Sequence, residues 1–260
     1  MAPERVANAD PPAEPAIVQV CGRLVVRLGD RRVEGLLPGR QGRVLFVFLT
    51  VNRMRDSTTD QLIGALWPDE APAGSEQTLR SLVSKIRRAV GSGALGRGGR
   101  YRLELPPGAR VDLESALDAV HRAESAVQSG DWRRAWGPAQ VALFTARRGF
   151  LPEEDAPWVQ EQRRTLDEVE LRALECYAAA SLGIGGVELP GAERTARRLV
   201  EREPFRESGY RILMQALAEG GNVAAALQTY DKLSGLLREE LGVSPSPPTQ
   251  ELHAQLLAAT

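Results

Sequence analysis

The sequence predicts a mainly α protein with a small β part, arranged as two domains. Three observations carry this expectation. Short β-rich runs punctuated by glycine occur only near the start of the chain. The stretch Ser75–Val90 has helical apolar spacing on one side and a cation-rich strip on the other. Beyond Leu105-Pro106-Pro107-Gly108 the chain reads as helix after helix.

A length of 260 residues suits one large or two ordinary domains. With 43% hydrophobic and 26% charged residues, the composition is that of an ordinary globular protein. No apolar run reaches ~18 residues, so no membrane span is expected. The N-terminal residues lack the apolar core of a signal peptide, and a cytoplasmic location is expected. Cys21 and Cys176 lie far apart in apolar surroundings and are expected to be buried free thiols. Charge is unevenly spread. Residues 17–105 hold 15 Lys/Arg against 8 Asp/Glu, an excess of +7, whereas 106–260 hold 17 against 23, or −6. A basic first part joined to an acidic second part suggests that only the first meets a polyanion.

Residues 1–16, rich in Ala, Pro and charge, are expected to form a disordered lead. Strand-like runs at 17–21, 24–28 and 33–36 follow, separated by Gly22 and Gly29-Asp30. They predict an antiparallel sheet of three or four short strands. Arg40-Gln41-Gly42-Arg43 leads into the apolar run 44–49, whose β-branched and aromatic residues suit a buried strand. Periodicity cannot settle so short a run. Ser57-Thr58-Thr59-Asp60 has the form of a capping box with Ser57 as N-cap. It opens a helix with Leu62, Ile63, Leu66 and Trp67 on one face, ended by Pro68. In Ser75–Val90 the apolar side is Leu79, Leu82, Val83, Ile86 and Val90. The outward side is Gln77, Arg80, Ser81, Ser84, Lys85 and Arg88. Cations hold phosphates, and Gln, Ser and Arg also read base edges. Such a helix is roughly 24 Å long, enough to lie across a major groove.

Gly91-Ser92-Gly93-Ala94-Leu95-Gly96 carries the letters of a dinucleotide fingerprint. It follows a helix and precedes a strand, the reverse of the required order, and reads instead as the approach to a hairpin. Tyr101, Leu103 and Leu105 alternate with polar residues, as in a half-buried strand. With a helix counted over 44–49, the order is short strands, three helices and a hairpin. That is a winged helix-turn-helix, whose third helix enters the major groove. Arg97 and Arg100 would then lie on the backbone or in the minor groove. Residues 75–104 hold seven cations against two acids, so the basic excess is concentrated there. The domains predicted are a DNA-binding winged helix over 17–105, a linker over 106–110 and an all-helical domain over 111–260.

In the helical part, segments are expected at 111–129, onward to about 147, 156–182, 192–202, 205–219, 223–241 and 248–259, with a loop over 183–191. Gly130-Asp131-Trp132 and Gly221-Asn222-Val223 look alike, and each has Ala four positions after its Asp or Asn. This is a helix-pair turn of the tetratricopeptide kind. The separation of 91 is not a multiple of 34, so an irregular helical repeat bundle is expected.

No candidate catalytic group emerges, and the chain is not expected to be an enzyme. Glu153-Glu154-Asp155 precedes a long helix, where carboxylates suit the N-terminus. His121 and His253 lack partners at metal-ligand spacing, so no metal or cofactor is expected. Trp132, Trp136 and Trp158 are expected to pack helices rather than line a ligand groove.

Several motifs together resemble the Streptomyces antibiotic regulatory protein family of transcriptional activators, in which an OmpR-type winged helix precedes a tetratricopeptide-like bacterial transcriptional activation domain. In the first domain these are residues 40–43, Asp60-Gln61-Leu62-Ile63-Gly64-Ala65-Leu66-Trp67 and Val83-Ser84-Lys85-Ile86-Arg87-Arg88-Ala89-Val90. In the second they are Val111-Asp112-Leu113, residues 207–214 and Arg238-Glu239-Glu240-Leu241-Gly242-Val243-Ser244-Pro245. The resemblance implies that 44–49 is the first helix. It implies binding to direct repeats in promoter DNA as a side-by-side homodimer, recruitment of RNA polymerase, and control of a biosynthetic gene cluster such as one for an antibiotic. The residues expected in the major groove are Gln77, Arg80, Ser81, Ser84, Lys85 and Arg88. Those expected on phosphate or in the minor groove are Arg40, Gln41, Arg43, Thr59, Arg87, Arg97 and Arg100. Family members often carry Pro-Gly-Tyr at the wing tip, where this chain has Gly99-Arg100-Tyr101. Two alternatives stand beside this reading. One is a helical-repeat interaction or ligand-sensing module whose winged helix does not read DNA. The other is the N-terminal portion of a longer, ATPase-linked regulator.

Overall fold

The computed structural model describes residues 15–91, 93–96 and 99–259, so the lead expected over 1–16 lies almost wholly outside the described residues. The chain divides into two compact units. The first is the chain through Glu114 together with Gly149–Arg163, and the second is Ser115–Arg148 with Arg164–Thr260.

The first unit opens with strands β1 (Ile17–Gln19), β2 (Val25–Leu28) and β3 (Arg31–Arg32). β1 and β2 are antiparallel, with Val18 opposite Val26 and both buried. A strand over 33–36 does not form. Glu34–Leu36 is a 3-10 turn. The Glu34 carboxylate accepts the Val26 N–H at 3.2 Å, which ends the ladder after Val33 N–H bonds the Val26 carbonyl at 2.9 Å. Helix α1 (Gly39–Val51), strand β4 (Ser57–Thr58), helices α2 (Thr59–Leu66) and α3 (Ser75–Val90), and strands β5 (Arg100–Tyr101) and β6 (Arg110–Val111) follow.

The run 44–49 is therefore helical. Val44, Leu45, Phe46, Val47 and Leu49 are all buried, so α1 is covered on most of its circumference and shows no one-sided period. Gly42 is required in its first turn, since a Cβ there would lie 2.4 Å from Cγ of Pro38. The four-stranded sheet has the order β3-β2-β1-β6, and β6 runs parallel to β1, so the sheet is not wholly antiparallel. Residues 110–111, expected in a linker and at the start of the helical domain, complete the sheet of the first unit. Asp112 secures this junction by accepting the N–H groups of Val20 at 2.8 Å and Cys21 at 3.2 Å.

Residues 149–163 act as a clasp within the first unit. Cys21 and Phe150 form an antiparallel bridge, and Gly22 N–H bonds the Gly149 carbonyl at 2.6 Å. The Trp158 ring meets Phe48 edge-on at 5.2 Å and Phe150 at 6.0 Å, and its Nε1 donates to the Ala65 carbonyl at 3.1 Å. The Arg163 guanidinium donates to the carbonyls of Phe150, Leu151 and Glu154 at 3.0, 2.5 and 2.6 Å. That convergence holds Leu151 in left-handed backbone, φ 37°, which a γ-branched residue adopts only when its surroundings impose it.

The second unit is helical. It is built from the later parts of α4 (Asp112–Gln128) and α6 (Pro157–Ile184), with α5 (Trp132–Ala146), α7 (Leu189–Arg202), α8 (Glu207–Glu219), α9 (Val223–Leu241) and α10 (Pro247–Ala258). The two similar turns are the same device. Asp131 N–H bonds the Ala126 carbonyl at 2.9 Å, and Asn222 N–H bonds the Leu217 carbonyl at 2.8 Å. Their side chains cap the next helix, accepting from Arg134 N at 3.1 Å and Ala225 N at 3.2 Å. Gly130 and Gly221 take the left-handed conformation before each cap, and Ala135 and Ala226 are fully buried after it. The loop expected over 183–191 is mostly ordered structure. α6 reaches Ile184, residues 186–188 form a 3-10 turn, and Pro190 sits in the first turn of α7, where its missing N–H has no partner to lose.

The tryptophans pack elements together. A Cβ on Gly183 would lie 2.4 Å from the Trp132 ring, and Trp136 Nε1 donates to Glu188 at 3.2 Å. His253 stacks on Tyr230 at 3.8 Å, and His121 lies beside Arg172 and Glu124. Neither cysteine is in a disulfide and both are buried, and burial pushes the Cys176 thiol up to about 12. Among the described residues no group of His, Cys, Asp and Glu is arranged to hold a metal, and no helix is long and apolar enough to cross a membrane.

Two expected outcomes follow from the packing. Trp158→Ala should cost the first unit about 2–3 kcal/mol, below the 3–5 typical of a fully buried ring. Urea unfolding, with hydrogen exchange at α1 and α2 amides, reads this, and unchanged protection there would remove the clasp from the unit. In the second unit, Glu207 accepts the Ser246 N–H at 2.9 Å and the hydroxyls of Ser246 and Thr249 at 2.7 and 2.6 Å, anchoring α10. Burial raises its pKa, but these bonds and nearby Arg211 outweigh that and hold it below the ordinary 4.5. The anchoring is therefore complete above pH 4.5 and is lost as pH falls through the lowered value. An acid titration followed at α10 amides should show this loss, and Glu207→Gln should flatten it.

Candidate nucleic-acid interface

Helix α3 begins after Gly74, which is left-handed at φ 80° and leaves the N-terminus without a side-chain cap. Its position depends on its apolar side. Leu79, Leu82, Val83, Ile86 and Ala89 are buried, while Val90, expected inside, is half-buried at the helix end. The inward stripe ends on Ala89 because the chain turns away at Gly91, φ 113°. Gln77, Arg80, Ser81, Ser84, Lys85 and Arg88 are all exposed. Arg80 bonds Glu76 one turn back at 2.7 Å, a solvent-exposed pair of small net strength. Arg87 and Arg88 also lie in the last turn, where cations complement the helix dipole.

Helix α2 is held by a capping box, but one residue later than expected. Thr58, not Ser57, is the N-cap. Thr58 Oγ1 accepts Gln61 N–H at 3.3 Å, and Gln61 Oε1 accepts Thr58 N–H at 2.9 Å. Ser57 is buried, and β4 pairs it with Tyr101, so its side chain points into the unit instead of along the helix. Thr59 is the first helical residue and is half-buried. The same ladder pairs Thr58 with Arg100, so the start of α2 and the far strand of the wing meet.

The wing is a short hairpin. Leu95 and Leu103 form an antiparallel bridge, Gly96 N–H bonds the Arg102 carbonyl at 3.1 Å, and Glu104 N–H bonds the Ala94 carbonyl at 2.8 Å. Tyr101 and Leu103 are buried and Arg100, Arg102 and Glu104 exposed, as the alternation requires, but the strand proper is only Arg100–Tyr101. Its partner β4 has two residues, which limits the ladder. Arg100 is exposed, 3.8 Å from Asp56. Arg97 lies outside the described residues.

The remaining cations are placed differently from one another. Arg87 is half-buried. Its Nε donates to the Leu95 carbonyl at 3.3 Å and its Nη2 to the Gly96 carbonyl. Its guanidinium faces the wing, not the outward strip. Arg40 makes a two-pronged contact with Glu154 at 2.9–3.0 Å, and this pairing holds its guanidinium above its ordinary pKa. Gln41 is exposed on the first turn of α1. Arg43 opens onto a groove of about 600 Å³ bordered by Arg23, Glu34, Leu151 and Glu153. Three of these contacts were not legible beforehand: the Thr58 cap, the Arg87 contact with the wing, and the Glu154 claim on Arg40. Only the first had a signal, since Thr58 and Gln61 have the spacing of a capping box.

The family model of the bacterial transcriptional activator domain matches residues 111–257. The chain is 33% identical over 220 residues to the regulatory protein AfsR of Streptomyces coelicolor, which covers 84% of this chain but 22% of that protein. It is 28% identical over 226 residues to the transcriptional regulatory protein MoaR1 of Mycobacterium tuberculosis, covering 83% of this chain and 71% of MoaR1. Among solved structures, Mycobacterium tuberculosis EmbR in complex with a low-affinity phosphopeptide superimposes with a TM-score of 0.79 at 23% identity. The match covers 94% of this chain and 65% of that one and bears on the fold: a winged helix followed by a helical activator domain.

The cap assignment has a direct check. Thr58→Ala should cost about 1 kcal/mol of stability, with faster exchange of the Gln61 amide. Ser57→Ala should leave that amide protected.

Proposed function

Because the chain belongs to the bacterial transcriptional activator domain family, of the Streptomyces antibiotic regulatory protein type, we propose that it is a sequence-specific DNA-binding transcriptional activator. The observation that carries this is the division of α3. Five side chains are buried, and Gln77, Arg80, Ser81, Ser84, Lys85 and Arg88 stand together in solvent opposite them. Those six enter the major groove. Lys85 and Arg88 have no competing carboxylate on their own helix turn, and an arginine bidentate to guanine supplies about 1–3 kcal/mol of discrimination.

Thr59, Arg43, Gln41, Arg97 and Arg100 add phosphate or minor-groove contacts, which give affinity that falls with salt. Arg40 contributes least to this grip, because phosphate must first displace Glu154. Binding is to direct repeats in a promoter, as a homodimer on DNA, and the helical unit contacts RNA polymerase. The regulated genes form a biosynthetic cluster.

Selection of genomic fragments by the purified chain tests the reading. A recovered direct repeat spaced by about one helical turn, ~10–11 bp, is expected. Arg88→Ala should weaken binding to the selected site by about 1–3 kcal/mol while changing affinity for random duplex much less. No enrichment over the input library would favour an interaction module that does not read DNA.

A further inference from the structure

Arg87 sits among the outward cations of α3 in sequence but not in space. Its neighbours Lys85 and Arg88 are exposed, whereas Arg87 is half-buried with its guanidinium turned to the first strand of the wing. A phosphate ligand needs its N–H groups presented to solvent. Here Nε and Nη2 are donated to two successive carbonyls, Leu95 and Gly96. These carbonyls belong to the strand that leads out to the wing tip. Gly96 in turn bonds Arg102 across the hairpin. At Gly96 the two strands approach so closely that a Cβ would lie 3.0 Å from the Arg100 carbonyl. A continuous set of contacts thus runs from Arg87 through Gly96 to Arg100.

We propose that Arg87 is a positioning residue that fixes the wing on the recognition helix and thereby places Arg100 on DNA, and that it is not itself a phosphate contact. This rests on the DNA-binding reading above. A guanidinium suits the task because its rigid fork presents two parallel donors to two adjacent carbonyls. A lysine in its place keeps the charge but offers one ammonium point, which cannot hold both carbonyls in the same geometry. On the other side, the wing is fixed by the pairing of Arg100 with Thr58. The wing is therefore braced twice, to the start of α2 by backbone and to the end of α3 by Arg87.

The test uses the full chain with Arg87→Lys, Arg87→Met, Arg100→Ala and the two double variants, each titrated against the selected site. Both Arg87 variants should weaken binding about three- to tenfold, the net worth of one ordinary hydrogen bond. In the Arg100→Ala background the same changes should weaken it less than about twofold, the coupling expected of groups acting through one element. Without DNA, hydrogen exchange at Gly96 should quicken in Arg87→Lys while α3 amides stay protected. If Arg87→Lys binds as tightly as the unaltered chain and only Arg87→Met is weakened, Arg87 is a charge contact and the proposal fails. Losses of equal size in both backgrounds also overturn it, whether they come from lost charge or from lost folding. If the unaltered chain binds no site selectively while Gly96 exchange still quickens, the bracing stands and the DNA-binding reading is what fails.

Discussion

The burial of one side of α3 is the constraint on which the site depends. Leu79, Leu82, Val83 and Ile86 are removed from water in a single stripe, and each such side chain contributes roughly 1.5–3 kcal/mol to holding the helix down. That contribution exceeds anything available from the exposed residues opposite, whose ion pairs are weak in water. The apolar side therefore sets the rotation of the helix, and the polar side follows. A helix turned by one residue would bring Lys85 or Arg88 toward the core, where an unpaired cation is far more costly than a misplaced leucine. The outward strip is thus specified without any interaction of its own.

Arginine serves several unrelated ends in the first unit, and geometry separates them. Arg163 gathers three carbonyls and imposes the turn at Leu151. Arg53 pairs with Glu114 through two bonds of 2.7 Å. Arg40 is held by Glu154, and Arg87 by the wing. The count of cations in residues 17–105 consequently overstates the charge available to a polyanion. Exposure alone does not settle which cations are available, since Arg40 is exposed like Lys85, Arg88 and Arg43 and is nonetheless held by Glu154.

The sequence made some of this legible and hid the rest for definable reasons. The α3 stripe, the helices of the second unit and the paired turns at Gly130 and Gly221 could be read, because each rests on local periodicity or local capping. The residues of the outward strip could be read as well, since they are the complement of the stripe. Helix α1 could not be read from its pattern, because a helix buried on most sides has no polar phase; a family resemblance was needed. The shift of the α2 cap from Ser57 to Thr58 came from strand pairing across to Tyr101, which local sequence does not encode. The parallel strand β6 and the clasp were hidden because both are contacts between residues about ninety or more positions apart. The contact of Arg87 with the wing carbonyls was hidden because charge alone does not say which acceptor a guanidinium meets.

Those long-range contacts also govern when the molecule becomes itself. β1 pairs with Val111, and Gly22 bonds Gly149, so the opening strands wait for partners made much later. A chain growing at about 5–20 residues per second has completed α3 well before it has made Trp158. During that interval the apolar face of α1 that Trp158 covers stays open on the ribosome, and loop closure over such separations is slow. The order of synthesis thus places assembly of the first unit late, after the chain has passed through the first helical pair of the second unit. Completion of the first unit is in this way tied to translation of the first helices of the second.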